Sequence, residues 1–182
     1  MSDRPTREAL EQRLLELERT VARLALEQEI VQTLHRYCHV IDHGPIDGLD
    51  RVFTPDAEFD ILTHDGQPNR DFVRKVGIRE LERYFQWRQG ELFLEERYKH
   101  LVLSPLVVSV DGDEARVESY FAAFSRDGDR PILRVYGRYQ DTLVRRGGRW
   151  LIRERLSWQE TPAARPRAPG EAGIDPMPPG AR

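Results

Sequence analysis

The sequence predicts an α+β fold, with helices first and an antiparallel sheet after them. Three observations carry this. From Thr6 to His43 there is no Gly or Pro, and apolar residues recur at helical spacing. From His100 to Trp158, strand-like runs are separated by Asp111-Gly112-Asp113, Asp127-Gly128-Asp129 and Gly147-Gly148, all hairpin signals. Helical and strand patterns do not alternate, which separates the chain from βαβ architectures.

The chain has 182 residues, enough for one domain with an appendage. Hydrophobic residues make up 39% and charged residues 32%, as expected of a globular protein with a charged surface. Basic residues number 28 against 31 acidic, a net charge of −3. That balance gives no basis for binding nucleic acid or an acidic membrane. The single cysteine, Cys38, cannot form an internal disulfide and points to a reducing compartment. No apolar run is long enough for a signal peptide or a membrane span, so a cytoplasmic location is expected.

In chain order, Ser2-Asp3-Arg4-Pro5 reads as a helix start. Leu10, Leu14, Leu17, Val21, Leu24 and Val31 follow heptad spacing, interrupted by Gln28. Residues 1–25 are therefore expected to form a helical arm that packs on a partner subunit or folds back on its own domain. Ile30, Val31, Leu34, Tyr37, Cys38 and Ile41 widen the apolar stripe, and Asp42 falls about 80° from Leu34, at its edge. Gly44-Pro45 ends the helix. Asp47 to Phe53 has helical spacing, Thr54-Pro55-Asp56-Ala57 reads as a turn, and Glu58 to Leu62 as a short strand. A helix follows Gly77, with Ile78, Leu81, Tyr84 and Phe85 on one side, and Gly90 closes it. Glu91 to Lys99 reads as a crossing segment. The meander strands are expected at 100–110, 115–126, 132–145 and 149–158. The α+β domain spans 26–160, and residues 161–182 have the Pro/Gly/Arg composition of a disordered tail.

Few residues suggest chemistry. His35, His39 and His43 turn progressively away from the apolar face and lack a metal-binding signature, so no metal site is expected. Asp42 reads first as a helix-end residue bonding to backbone, with a carboxylate at a cavity as the alternative. Tyr37 reads as core or as pocket wall. His100 opens the first meander strand; beside a carboxylate, its imidazole would make an oriented base. Arg155, if inward, could hold a substrate carboxylate or a developing oxyanion. No phosphate loop, Cys-x-x-Cys pair or nucleophile elbow is present.

Taken in order, several pieces resemble a SnoaL-like domain of the nuclear transport factor two-like superfamily. They are Ile30…Leu34…Tyr37…Ile41-Asp42, Phe53-Thr54-Pro55-Asp56-Ala57, Gly77 before a helix, and His100. Val110-Asp111-Gly112-Asp113-Glu114-Ala115, Gly137-Arg138-Tyr139-Gln140-Asp141 and Gly148-Arg149-Trp150-Leu151-Ile152 complete the set. The resemblance covers about residues 25–160 and implies a cone: a curved mixed sheet wrapped around helices, enclosing an apolar pocket.

Members of this superfamily include scytalone dehydratase, bile-acid 7α-dehydratase, ketosteroid isomerase and polyketide cyclases. It also holds the non-catalytic small subunits of ring-hydroxylating dioxygenases, so fold alone does not decide function. By resemblance to the dehydratases, Asp42 and His100 match a catalytic Asp–His pair, Tyr37 a catalytic Tyr, and Arg155 a pocket residue. Tyr120 and Phe124 stand where scytalone dehydratase has a second His; with Phe59 they are expected to line the substrate pocket. The resemblance implies a lyase or isomerase without cofactor, acting on a hydrophobic cyclic compound such as a steroid or polyketide, as a homodimer or homotrimer. The alternative it leaves is a non-catalytic binding or assembly module such as a dioxygenase β subunit.

Overall fold

The computed structural model describes residues 6–43, 45–69, 72–90 and 98–161. The helix start expected at Ser2 to Pro5, most of the crossing segment and the tail from Pro162 on lie outside the described residues. Helix α1 spans Arg7–His43. Its cap is Thr6, whose Oγ1 accepts the Ala9 backbone N–H at 3.2 Å. A short 3-10 helix, Ile46–Arg51, follows, then strand β1, Phe53–Thr63. Strand β2 is Lys75–Val76 and helix α2 is Ile78–Arg88. The meander comprises β3 Lys99–Asp111, β4 Glu114–Asp127, β5 Arg130–Arg146 and β6 Arg149–Gln159.

The strands form one sheet in the order β2-β1-β6-β5-β4-β3. β1 pairs parallel to β6; every other pair is antiparallel. The sheet is mixed, as expected, because β1 enters before the meander and returns beside its last strand. One expected feature is corrected. Thr54 to Ala57 is not a turn between elements but a bulged part of β1. Its register with β6 jumps between Phe53 and Glu58, which leaves Pro55 and Asp56 exposed while the strand continues.

Register defines the two faces of the sheet. Val117, Asp141, Arg155, Phe59 and Lys75 lie side by side across five strands, and all are buried. Ser119, Tyr139, Ser157 and Ile61 form the next buried row. This inner face packs on α1 through Ile30, Leu34, Tyr37 and Ile41, and on α2 through Leu81 and Phe85. Thr33 ties helix to sheet by donating to the Trp150 carbonyl at 2.9 Å. Burying these side chains at about 25 cal/mol per Å² is the main force holding helices against sheet. Gly137 is demanded by close approach: a Cβ there would lie 1.8 Å from the Trp158 carbonyl oxygen.

Candidate active site

The last turn of α1 sets the site. The helix must release its final carbonyls before Pro45, and those groups need partners. Gln89, just past α2, supplies them. Its Nε2 donates to the Val40 carbonyl at 3.2 Å and to the Ile41 carbonyl at 2.9 Å. The next residue is Asp42, buried at 4% exposure.

Asp42 takes hold of the start of β3 with both oxygens. Oδ2 accepts the backbone N–H of His100 at 2.8 Å, and Oδ1 lies 2.6 Å from His100 Nδ1. An ionised carboxylate only accepts, so the Nδ1 proton is donated to it and the ring's lone pair falls on Nε2. The His100 side chain is mostly buried, and the Tyr98 ring packs against it at 5.4 Å between centroids. Two residues 58 positions apart are therefore held in one orientation by two hydrogen bonds. Such a constellation can move a proton at Nε2 while the carboxylate stabilises the imidazolium.

Arg155 is also inward, but its fork is occupied. Nε and Nη2 donate to the two Asp141 oxygens, each at 2.7 Å, with both side chains fully buried. Its guanidinium lies 4.1 Å from the ring centres of both Tyr37 and Tyr139. Burial pulls against the charge, but Asp141 outweighs it and holds Arg155 above its ordinary pKa. Of the guanidinium expected as a clamp for a substrate carboxylate, two nitrogens are thus taken by Asp141. Nη1 remains, buried and without a hydrogen-bond partner among the described residues.

Tyr37 sits in the core rather than on an open wall. Its ring meets Phe53, Phe85 and Tyr139 edge-on at 5.9, 6.0 and 6.1 Å. Burial raises the pKa of its phenol, as it does that of Tyr139. Cys38 is half-buried, and burial pushes its thiol up to about 11.

The remaining expected pocket residues divide. Phe59 is buried on the inner face, against Phe72, Tyr84 and Phe85. Tyr120 is corrected: it stands on the outer face, 60% exposed. Neighbours along a strand point to opposite faces, and it is Phe121 that turns inward and stacks on Tyr139 at 4.3 Å. Phe124 lies past a register shift between Ala123 and Phe124 and is only partly buried. His35, His39 and His43 are exposed. A separate groove of about 260 Å³ between the 3-10 helix and α2 includes Asp47, Asp50 and Glu82 and none of the expected site residues.

Sequence reasoning missed Asp141, Tyr139, Gln89 and Lys75. Tyr139 and Asp141 alternate with buried Leu143 along β5, and that parity was the available signal. Lys75 is 8% exposed, with its ammonium 5.6 Å from the Phe72 ring centre and 5.9 Å from that of Tyr84. Nothing in its local sequence marks it as inward.

The model of the SnoaL-like domain family matches residues 22–156. The chain belongs to this family. Among curated proteins, uncharacterised proteins of Mycobacterium tuberculosis and Mycobacterium bovis are 33% identical over 139 residues, covering 75% of this chain and 87% of theirs. A nuclear transport factor two-like protein of Novosphingobium aromaticivorans, with a cystatin-like fold, superposes with TM-score 0.65 at 18% identity, covering 90% of this chain and 94% of that one. A candidate scytalone dehydratase of the same organism gives 0.64 at 22%, covering 85% and 99%. The β subunit of a candidate aromatic-ring-hydroxylating dioxygenase, also from that organism, gives 0.65 at 18%, covering 79% and 94%. At these identities the solved structures establish the fold: a long helix followed by a curved, unclosed mixed sheet. Among the described residues no helix is long and apolar enough to cross a membrane.

Proposed function

We propose that this SnoaL-like protein is a cofactor-independent lyase or isomerase that removes a proton from a hydrophobic cyclic substrate, such as a steroid or polyketide. The observation that carries the reading is the Asp42–His100 pair at the junction of α1 and β3, Asp42 buried and His100 partly so, with a 2.6 Å contact at Nδ1. Nε2 of His100 takes the proton next to a carbonyl or leaving group. Asp42 fixes the ring and stabilises the imidazolium, and delivery of the proton to the leaving oxygen or to the enolate carbon completes either reaction. Tyr37 contributes a neutral hydroxyl, kept protonated by burial. Phe59 and Phe121, on the inner face, supply apolar walls.

Solvent exchange tests the chemistry before the natural substrate is known. Cyclic ketones incubated in deuterated water with the protein exchange their α-protons if the base is active, and magnetic resonance reads the loss. His100→Ala and Asp42→Asn should each lower the rate by about 10²–10⁴-fold. A rate unchanged in His100→Ala, with the fold intact by circular dichroism, overturns the reading. The competing reading is a non-catalytic assembly module, favoured by the exposed Leu106, Val108 and Tyr120 on the outer face of the sheet. It predicts ligand binding without exchange.

A further inference from the structure

From Thr6 to Ala25 every residue is exposed, so half of α1 is not packed on the other described elements. Yet Leu10, Leu14, Leu17, Val21 and Leu24 remain more than half exposed along that stretch. An unpartnered apolar stripe of this kind marks a contact surface. On a wheel of 100° per residue the stripe is centred about 120° from Leu34, which faces the core. It therefore does not continue the domain-facing seam, and folding the arm along its own helix axis would not cover it.

The residues specify what does. In heptad terms Leu10, Leu17 and Leu24 occupy d positions, and Leu14, Val21 and Gln28 occupy a positions. Leu10, Leu17 and Leu24 at d with β-branched Val21 at the middle a position favour two strands, Leu14 at a adding no such preference, and a polar a residue, here Gln28, fixes register by meeting its own copy. Charges flank the seam in the matching way. Parallel pairing in register places Arg13, at g, against Glu18, at e, of the other copy; no like charges oppose one another in the other g–e pairs, Thr6–Glu11, Thr20–Ala25 and Glu27–Gln32. Within the chain, Arg7 pairs with Glu11 and Arg23 with Glu27, whereas Arg13 and Glu18 have no ion pair among the described residues. An antiparallel arrangement over the same length would instead set Gln28 against Leu10.

We infer that residues 7–28 form a parallel two-stranded coiled coil with the same segment of a second copy of this chain. The seam from Leu10 to Gln28 is about 27 Å long at 1.5 Å per residue. So short a coil is marginal by itself, and the dimer it makes is concentration-dependent. The inference does not depend on the chemistry of the Asp42–His100 pair.

Sedimentation of the full chain over a concentration series tests it. The expected mass is twofold that of the chain at high concentration, falling to onefold on dilution. Leu17→Glu with Val21→Glu should give onefold mass throughout, with the strand signal in circular dichroism unchanged. Arg13→Glu should weaken the dimer several-fold, and Glu18→Arg added to it should restore it. Orientation is read by Val21→Cys, which should form an interchain disulfide under air, while Arg19→Cys, at the outward f position, should not. A monomer at every concentration, a trimer, or a dimer indifferent to the Leu17 and Val21 changes overturns the inference. So does cross-linking through position 19 and not 21.

Discussion

Removing Asp141 isolates the cost of a buried charge. In Asp141→Ala the Arg155 guanidinium loses both of its 2.7 Å acceptors and gains no water, since its side chain is fully buried. Hydrogen bonds to a charged group contribute about 1.5–3 kcal/mol each, so two give about 3–6. Breaking buried ion pairs by deleting one partner costs about 3–5 kcal/mol, in the same range. For a domain of this size that corresponds to roughly 6–20 °C in Tm. The double variant Asp141→Leu with Arg155→Met behaves differently. It removes both desolvation penalties along with the attraction, and Nη1 was already unpartnered among the described residues. Apolar replacement of a whole buried pair is often neutral or stabilising, so the double variant should lie within about 1.5 kcal/mol of the parent. Urea unfolding followed by circular dichroism measures all three. If Asp141→Ala costs less than about 1 kcal/mol, the pair is hydrated in solution and the account of Arg155 as a locked group is refuted.

Further outcomes follow from the same geometry. Gly137→Ala should destabilise by more than about 3 kcal/mol, because its Cβ has no room beside the Trp158 carbonyl; an unfolding curve that overlays the parent would contradict this. Lys75→Met should stabilise the protein by about 1–2 kcal/mol, since among the described residues the ammonium meets the Phe72 and Tyr84 rings and no carboxylate; a loss of stability would show that it has a strong partner in solution. The phenols of Tyr37, Tyr84 and Tyr139 are all raised above 10.0, chiefly by burial. Their contribution is therefore fully present below pH 10.0 and is lost as pH climbs beyond it, so unfolding and tyrosinate absorbance should rise together there. Cys38, with its thiol pushed up to about 11, should resist alkylation at neutral pH and react at the rate of a free thiol only after unfolding.

Much of the architecture was legible because its signals are local. Gly-containing turns delimit the meander, and the strands extend at most two residues beyond the expected limits. α1 ends at His43, just after Asp42 and before Pro45, which fixes where that carboxylate can stand. Face assignments failed where the ladder is irregular. From the Gly147-Gly148 turn, Arg145 faces Trp150 and Leu143 faces Ile152. A regular ladder would then pair Asp141 with Glu154. A register shift between Thr142 and Leu143 admits one extra residue in β6, and Asp141 faces Arg155 instead. The same kind of shift at Ala123 makes the parity of Phe124 unreadable. Tyr120 and Phe121 posed a different problem: both suit a strand, and only tertiary packing says which face is inner.

The Arg155–Asp141 pair and the Asp42–His100 pair have different logics. Arg155 and Asp141 neutralise each other within adjacent strands, and their hydrogen bonds rigidify the part of the sheet that carries Tyr139 and on which Tyr37 of α1 packs. Asp42 and His100 join separate elements, a helix end and a strand start, so their contact depends on how those elements dock. Gln89 is what ties the helix end down from the other side. Gln89→Leu should leave the Val40 and Ile41 carbonyls unsatisfied, at a cost of about 1–3 kcal/mol. It should also loosen Asp42 against His100 without touching either. If the pair is the proton-transferring centre, exchange of a ketone's α-protons should then fall together with the low-field Nδ1 proton resonance of His100. Full exchange with that resonance lost would mean that the 2.6 Å contact holds the fold and not the reaction.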